Sequence, residues 1–203
     1  MFARATLILC LLLFTAQAHA GPEIQTWETD NGARVMFVDA PAIPMLDVRV
    51  VFNAGSARDG KLPGLALMTN MLLNDGAADL TADQLAEGFE SLGAQFGTSS
   101  LRDMAILTLR TLSEDEVRQQ SLALLGKVLK SPTFPADEIE RRRLQMRVGL
   151  EKQAESPSAT AKNHFFEALF NDHPYAHNPA GDEKSIEAMT RDDILAFYNR
   201  YYV

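Results

Sequence analysis

Apolar runs Ile24–Glu28 and Ala33–Val38 lie on either side of Thr29-Asp30-Asn31-Gly32, and the Asn-Gly step predicts a β-hairpin. After Pro41 and Pro44, Met45–Asn53 alternates as a third strand, with Asp47 and Arg49 on one face and Leu46, Val48 and Val50 on the other. Ala54–Pro63 is a polar, glycine-containing loop. Gly64–Gly76 (GLALMTNMLLNDG) reads as an apolar helix running into a turn. Thr81 with Gln84 forms a capping box for a helix through Leu92, and Gly93 ends it. Ala94–Ser100 and Met104–Leu112 predict a second hairpin, its apolar side carried by Met104, Ile106 and Leu109. Ser113-x-x-Glu116 is expected to cap a helix that buries Val117, Leu122, Leu125 and Leu129.

Pro132 and Pro135 break the chain before a long charged helix, Ala136 to about Glu155. In it, Arg141, Arg142 and Arg143 stand among Glu138 and Glu140 and read as a solvated ion-pair face. Pro157 interrupts this helix. Ala159–Phe170 resumes helical spacing, with Phe165, Phe166, Leu169 and Phe170 expected to form an aromatic core. Loop Asn171–Gly181 follows, and Thr190-x-x-Asp193 caps a last helix, Asp192–Tyr201. This order of strands and helices predicts an α+β domain with helices packed on an antiparallel or mixed sheet.

Residues 1–20 stand apart from that pattern. Arg4, the short apolar run Thr6–Phe14 and the small-x-small site Ala18-His19-Ala20 predict a secretory signal peptide cleaved after Ala20. The run is shorter than the roughly 20 residues needed to span a membrane. The only cysteine, Cys10, lies inside it, so the mature chain is expected to hold no disulfide and no thiolate metal site. Export without cysteine points to a bacterial periplasm. Without Arg4 the mature chain has 18 basic and 27 acidic residues, a net charge of 18 − 27 = −9, which argues against nucleic acid and anionic membranes as partners. No phosphate-cradling G-x-x-x-x-G-K-[ST] or dinucleotide G-x-G-x-x-G is present, and no G-x-S-x-G elbow.

The frame of Gly64–Gly76 resembles the zinc-site helix of pitrilysin/insulinase metallopeptidases, G-x-A-H-F-L-E-H-M-L-F-x-G, with Gly64, Ala66, Leu73 and Gly76 matching. The first metal-ligand position falls on Leu67, the catalytic glutamate on Asn70 and the second ligand on Met71. In HxxEH two histidines one turn apart grip Zn²⁺ and the glutamate takes a proton from the metal-bound water. Leu67 offers no lone pair, Met71 only a soft thioether, and Asn70 cannot act as a base. Core packing accounts for Leu67, Met68, Met71 and Leu72 without any metal.

The resemblance covers essentially all of residues 21–203. It includes Asn31-Gly32-Ala33-Arg34-Val35, the loop Ala54-Gly55-Ser56-Ala57-Arg58-Asp59, Leu80–Ala94, Phe134-Pro135 with the long helix, His173-Pro174-Tyr175-Ala176-His177, and Phe197-Tyr198 with Tyr201-Tyr202. Active relatives take a third metal ligand, a glutamate, from the long helix; here that window is Met146-Arg147-Val148-Gly149, and Glu151 falls a few positions later. His164-Phe165-Phe166-Glu167-Ala168 begins like HxxEH and ends in alanine. His173 and His177 have i, i+4 spacing, but Pro174 opposes a shared helical face; they are the lesser metal candidates.

The resemblance implies a half-chamber domain that lacks its final strand, with a second homologous domain absent from this chain. It implies a non-catalytic, chamber-forming subunit that binds unfolded or extended peptide beside a homologous HxxEH-bearing subunit, with zinc in that partner and no cofactor in this chain. In such pairs the substrate-contacting Arg and Tyr belong to the second half and have no counterpart here. Two other readings stand beside it: an active metallopeptidase with a non-standard site drawn from His164, Glu167, His173 or His177, and an exported peptide-binding scaffold using an open strand edge.

Overall fold

The computed structural model describes residues 21–203; the expected signal peptide lies outside them. The chain divides into two units, one up to Ile43 and one from Pro44 to Val203. The described part of the first is a hairpin of β1 (Ile24–Glu28) and β2 (Arg34–Val38), paired antiparallel from Ile24 opposite Val38 to Glu28 opposite Arg34. Gly32 turns it with φ +83°, a conformation that costs glycine little.

In the second unit, β3 (Met45–Phe52), β6 (Gln95–Ser100) and β7 (Ala105–Leu112) form an antiparallel sheet in the order β3-β7-β6. A two-residue hairpin, β4 (Gly76–Ala77) with β5 (Leu80–Thr81), sits between α1 (Leu65–Leu72) and α2 (Ala82–Ser91). Then come α3 (Asp115–Lys130), α4 (Ala136–Ala154), α5 (Pro157–Phe170), α6 (Glu183–Ala188) and α7 (Arg191–Tyr201). The fold is therefore α+β, with helices on an antiparallel sheet.

Strand alternation decides which face is covered. Ala105, Leu107, Leu109 and Thr111 of β7 are buried, so Ile106 and Met104 do not carry the inward side as expected from sequence. The core joins Leu107 and Leu109 to Met68 and Leu72 of α1, Leu85 and Phe89 of α2, and Ile194 and Phe197 of α7. The Thr81–Gln84 and Thr190–Asp193 capping boxes are both formed.

Several local expectations change. Ser113 does not cap α3: the cap residue is Glu114, without a side-chain bond, and the Ser113 carbonyl instead accepts from Arg118 at 2.8 Å. Leu122 is exposed, while Ser121, Leu125 and Val128 form the buried stripe. Ser156 caps α5 and Pro157 occupies its first turn, so the helix starts before Ala159. None of its residues is fully buried, and Phe165 and Leu169 are exposed, so α5 does not carry an aromatic core. The arginine run of α4 is more than a solvated face. Arg141 and Arg142 both reach the buried Asp75, at 2.8 Å and 2.6 Å, and Arg143 binds the carbonyls of Ile186 and Met189. The run thus ties α4 to the α1–β4 turn and to α6.

Candidate functional site

Helix α1 packs against β6, α4 and α7; of its three motif positions Asn70 faces the interior, while Leu67 and Met71 are its only residues that are not fully buried. Leu67 and Met71 are half-buried and pack onto the core. Asn70 is fully buried, and its Nδ2 donates to the Tyr202 hydroxyl at 3.3 Å. Tyr202 lies between the rings of Phe52 and Tyr198, with centroids 5.0 Å and 5.1 Å away. Burial pushes the Tyr202 hydroxyl well above the ordinary tyrosine value; the bond from Asn70 opposes that shift and Tyr198 adds to it. Where the family frame has a proton-accepting carboxylate, this chain has an amide engaged with a neutral phenol.

The start of α1 is fixed by a residue from the preceding loop. Gly64 at the cap has φ +92° and no side chain to accept a bond. Asp59 accepts instead: Gly64 N–H donates to Oδ2 at 2.8 Å and Ala66 N–H to Oδ1 at 2.7 Å. His177 Nε2 meets the same Oδ2 at 3.0 Å. Gly55 in that loop has no alternative, since a Cβ there would sit 2.4 Å from the Arg102–Met104 backbone.

The His173–His177 segment is a turn pinned to the β6–β7 connection. Arg102 donates to the carbonyls of Tyr175, at 2.7 Å, and His177, at 3.2 Å, and its guanidinium lies 4.1 Å from the centre of the Phe166 ring. Burial lowers the Arg102 pKa from the ordinary arginine value, against the opposing pull of Tyr175 and Asp103. The Tyr175 hydroxyl bonds to Asp103, which raises its pKa. His173 Nδ1 accepts from the Tyr175 N–H at 3.2 Å, so the two histidines face different partners. His164 and Glu167 meet at 3.4 Å on the exposed side of α5. In the window of the third ligand Met146 is buried, and Glu151, beyond that window, is exposed. Among the described residues no three His, Cys, Asp or Glu side chains gather as metal ligands. Zinc does not fit α1: Leu67 and Met71 present hydrocarbon and thioether to the core, and Asn70 is already bonded.

Sequence reasoning missed Asp59 as the clamp of α1 and Tyr202 as the partner of Asn70. Asp59 sits five positions before Gly64, a spacing with no standard capping signature, and Tyr202 is 132 positions from Asn70.

A helix in the HxxEH frame, with Leu67, Asn70 and Met71 at the motif positions and packed on an antiparallel sheet, is the architecture of a metallopeptidase-type domain. The chain belongs to the insulinase family, Peptidase family M16, whose family model matches residues 34–183. It is similar to a peptidase M16 inactive domain from Pseudomonas fluorescens, 44% identical with a TM-score of 0.85, over 87% of this chain and 43% of that one. An uncharacterized zinc protease from Rickettsia bellii is 23% identical over 173 residues, 85% of this chain and 42% of that protein. The non-peptidase homolog YmxG from Helicobacter pylori is 27% identical over 161 residues, 79% of this chain and 37% of that protein. The chain thus spans less than half the length of these relatives.

Proposed function

We propose that this chain is a non-catalytic member of its family in a bacterial periplasm, where it closes a chamber around unfolded peptide together with an HxxEH-bearing subunit. Zinc and the hydrolytic step belong to that partner; this chain supplies binding surface. The observation that carries the reading is Asn70, a buried amide bonded to Tyr202 where a catalytic glutamate would stand, between Leu67 and Met71. A water at that point would find neither a base nor a metal to activate it. Relatives described as an inactive domain and as a non-peptidase homolog support the same direction. The periplasmic location rests on the signal-peptide pattern of residues 1–20.

The test is purification of the native protein from its own periplasm, with mass spectrometry of everything that co-elutes. Recovery of an HxxEH subunit in fixed ratio is the expected result. Recovery of the chain alone, with stoichiometric zinc lost on replacing His173 or His177, would overturn the proposal in favour of a non-standard metal site.

A further inference from the structure

The side of the sheet opposite α1 carries a trough of about 530 Å³ whose lining includes Arg49, Thr108 and Gly97. Register puts these three in one row across β3, β7 and β6, with Asp47, Arg110 and Gln95 in the next row. Gly97 brings no side chain, so the row has a notch at β6. The Thr108 hydroxyl donates to the Gly97 carbonyl at 3.3 Å and lies along its floor.

The charges of this face do not balance. Arg110 binds Asp47 through two bonds, 2.6 Å and 3.0 Å, which satisfies that carboxylate from one side. Arg49 is exposed and has no ion-pair partner among the described residues. Two guanidinium groups against one carboxylate leave a local charge of +1 on a chain whose formal net charge is −8. The ends of the same face are apolar: Met45 opposite Leu112 at one, Val51 opposite Ile106 at the other. From Met45 to Val51 is six strand steps, roughly 20 Å, the reach of about six residues of extended peptide.

Resting on the peptide-binding reading above, we propose that this face receives an extended peptide segment with a Glu or Asp flanked by apolar residues. The carboxylate sits on Arg49 over the Gly97 notch, and the apolar residues cover the Met45/Leu112 and Val51/Ile106 ends. The peptide lies across the sheet face, so its selectivity comes from side chains.

The test uses the purified native protein and labelled, end-capped peptides Leu-Val-Gly-Glu-Gly-Val-Leu, with Gln or Lys replacing the central Glu, read by fluorescence anisotropy. The Glu peptide binds about fivefold more tightly than the Gln peptide, the size of an exposed ion pair, and the gap narrows as salt is raised. Arg49→Gln removes the preference and Arg49→Glu turns it toward the Lys peptide. Both changes sit on an exposed strand position, and unchanged circular dichroism verifies that the fold is kept. Equal binding of all three peptides by the unsubstituted protein, or a preference that survives Arg49→Gln, overturns the assignment and leaves peptide binding standing. No binding of any of the three overturns both.

Discussion

Asp59 offers the sharpest test of how α1 is held. Its side chain is wholly buried, and it accepts from two backbone N–H groups at the start of a helix whose cap residue is glycine. Replacing it with alanine removes the cap, worth about 1–2 kcal/mol, and strands two N–H groups in a buried segment, each costing about 1–3 kcal/mol. These contributions overlap, because the cap value already includes one lost acceptor. The expected loss for Asp59→Ala is therefore about 2–4 kcal/mol, a large share of the roughly 5–15 kcal/mol that stabilises a typical domain. Asp59→Asn keeps one acceptor oxygen and should lose about half as much. His177→Ala leaves both backbone bonds in place and should cost about 1 kcal/mol. Urea unfolding of the mature chain, followed by far-ultraviolet circular dichroism, measures the series at constant slope. Asp59→Ala within about 0.5 kcal/mol of the unsubstituted chain, or His177→Ala as the costliest of the three, would refute the assignment of Asp59 as the clamp.

Asp75→Ala should cost about 3 kcal/mol by the same assay, since it leaves the largely buried Arg142 without its carboxylate; Arg141, half exposed, softens the loss. Asn70→Glu, which restores the family's glutamate, should lower stability by at least about 3 kcal/mol, because a carboxylate beside the Tyr202 hydroxyl is buried without a cation; a thermal melt that does not move would contradict this. The raised Tyr202 pKa means the folded state holds its proton after the unfolded chain has lost it. Its contribution is present below the ordinary tyrosine value of about 10 and lost as pH rises beyond it, so alkaline unfolding should be delayed in Tyr202→Phe. The Asp47 carboxyl is held below the usual aspartate value, chiefly by the hydrogen bond from Arg110 and further by its charge, with desolvation opposing. Its contribution is present at neutral pH and lost as pH falls through the folded value; carboxyl NMR should show Arg110→Ala bringing that titration back to the ordinary range.

Features encoded within a few residues were legible in the chain. The two capping boxes, the Asn31-Gly32 turn and the shared face of Asp47 and Arg49 all follow from spacings of one to three positions. That Leu67, Asn70 and Met71 occupy the HxxEH positions is read in the sequence because one helical turn carries the motif. Arg141–Glu138 and Arg143–Glu140 were also visible as local pairs, but Asp75 is 66 positions from Arg141, and no local rule ties them. Helix α6 has six residues, too few for an apolar period, and its capping box pairs Asp182 with Ser185 where a Glu or Gln is the usual signal. Ile106 and Leu107 are equally apolar, and only the register of β7 against β3 and β6 decides which faces the helices.

The contacts that hold α1 come at two very different sequence distances. The Asp59 clamp is local, five and seven positions from the N–H groups it binds, but Asn70 waits for Tyr202, 132 positions later. A separation of that length slows the search, because loop closure must precede any gain from the contact. Cover from β6 is available soon after the helix is made, whereas the cover from α4 and α7 comes much later in the chain. Until α7 docks, Met68, Leu72 and their neighbours lack part of the cover they have in the folded domain, and exposed apolar surface of that kind favours aggregation.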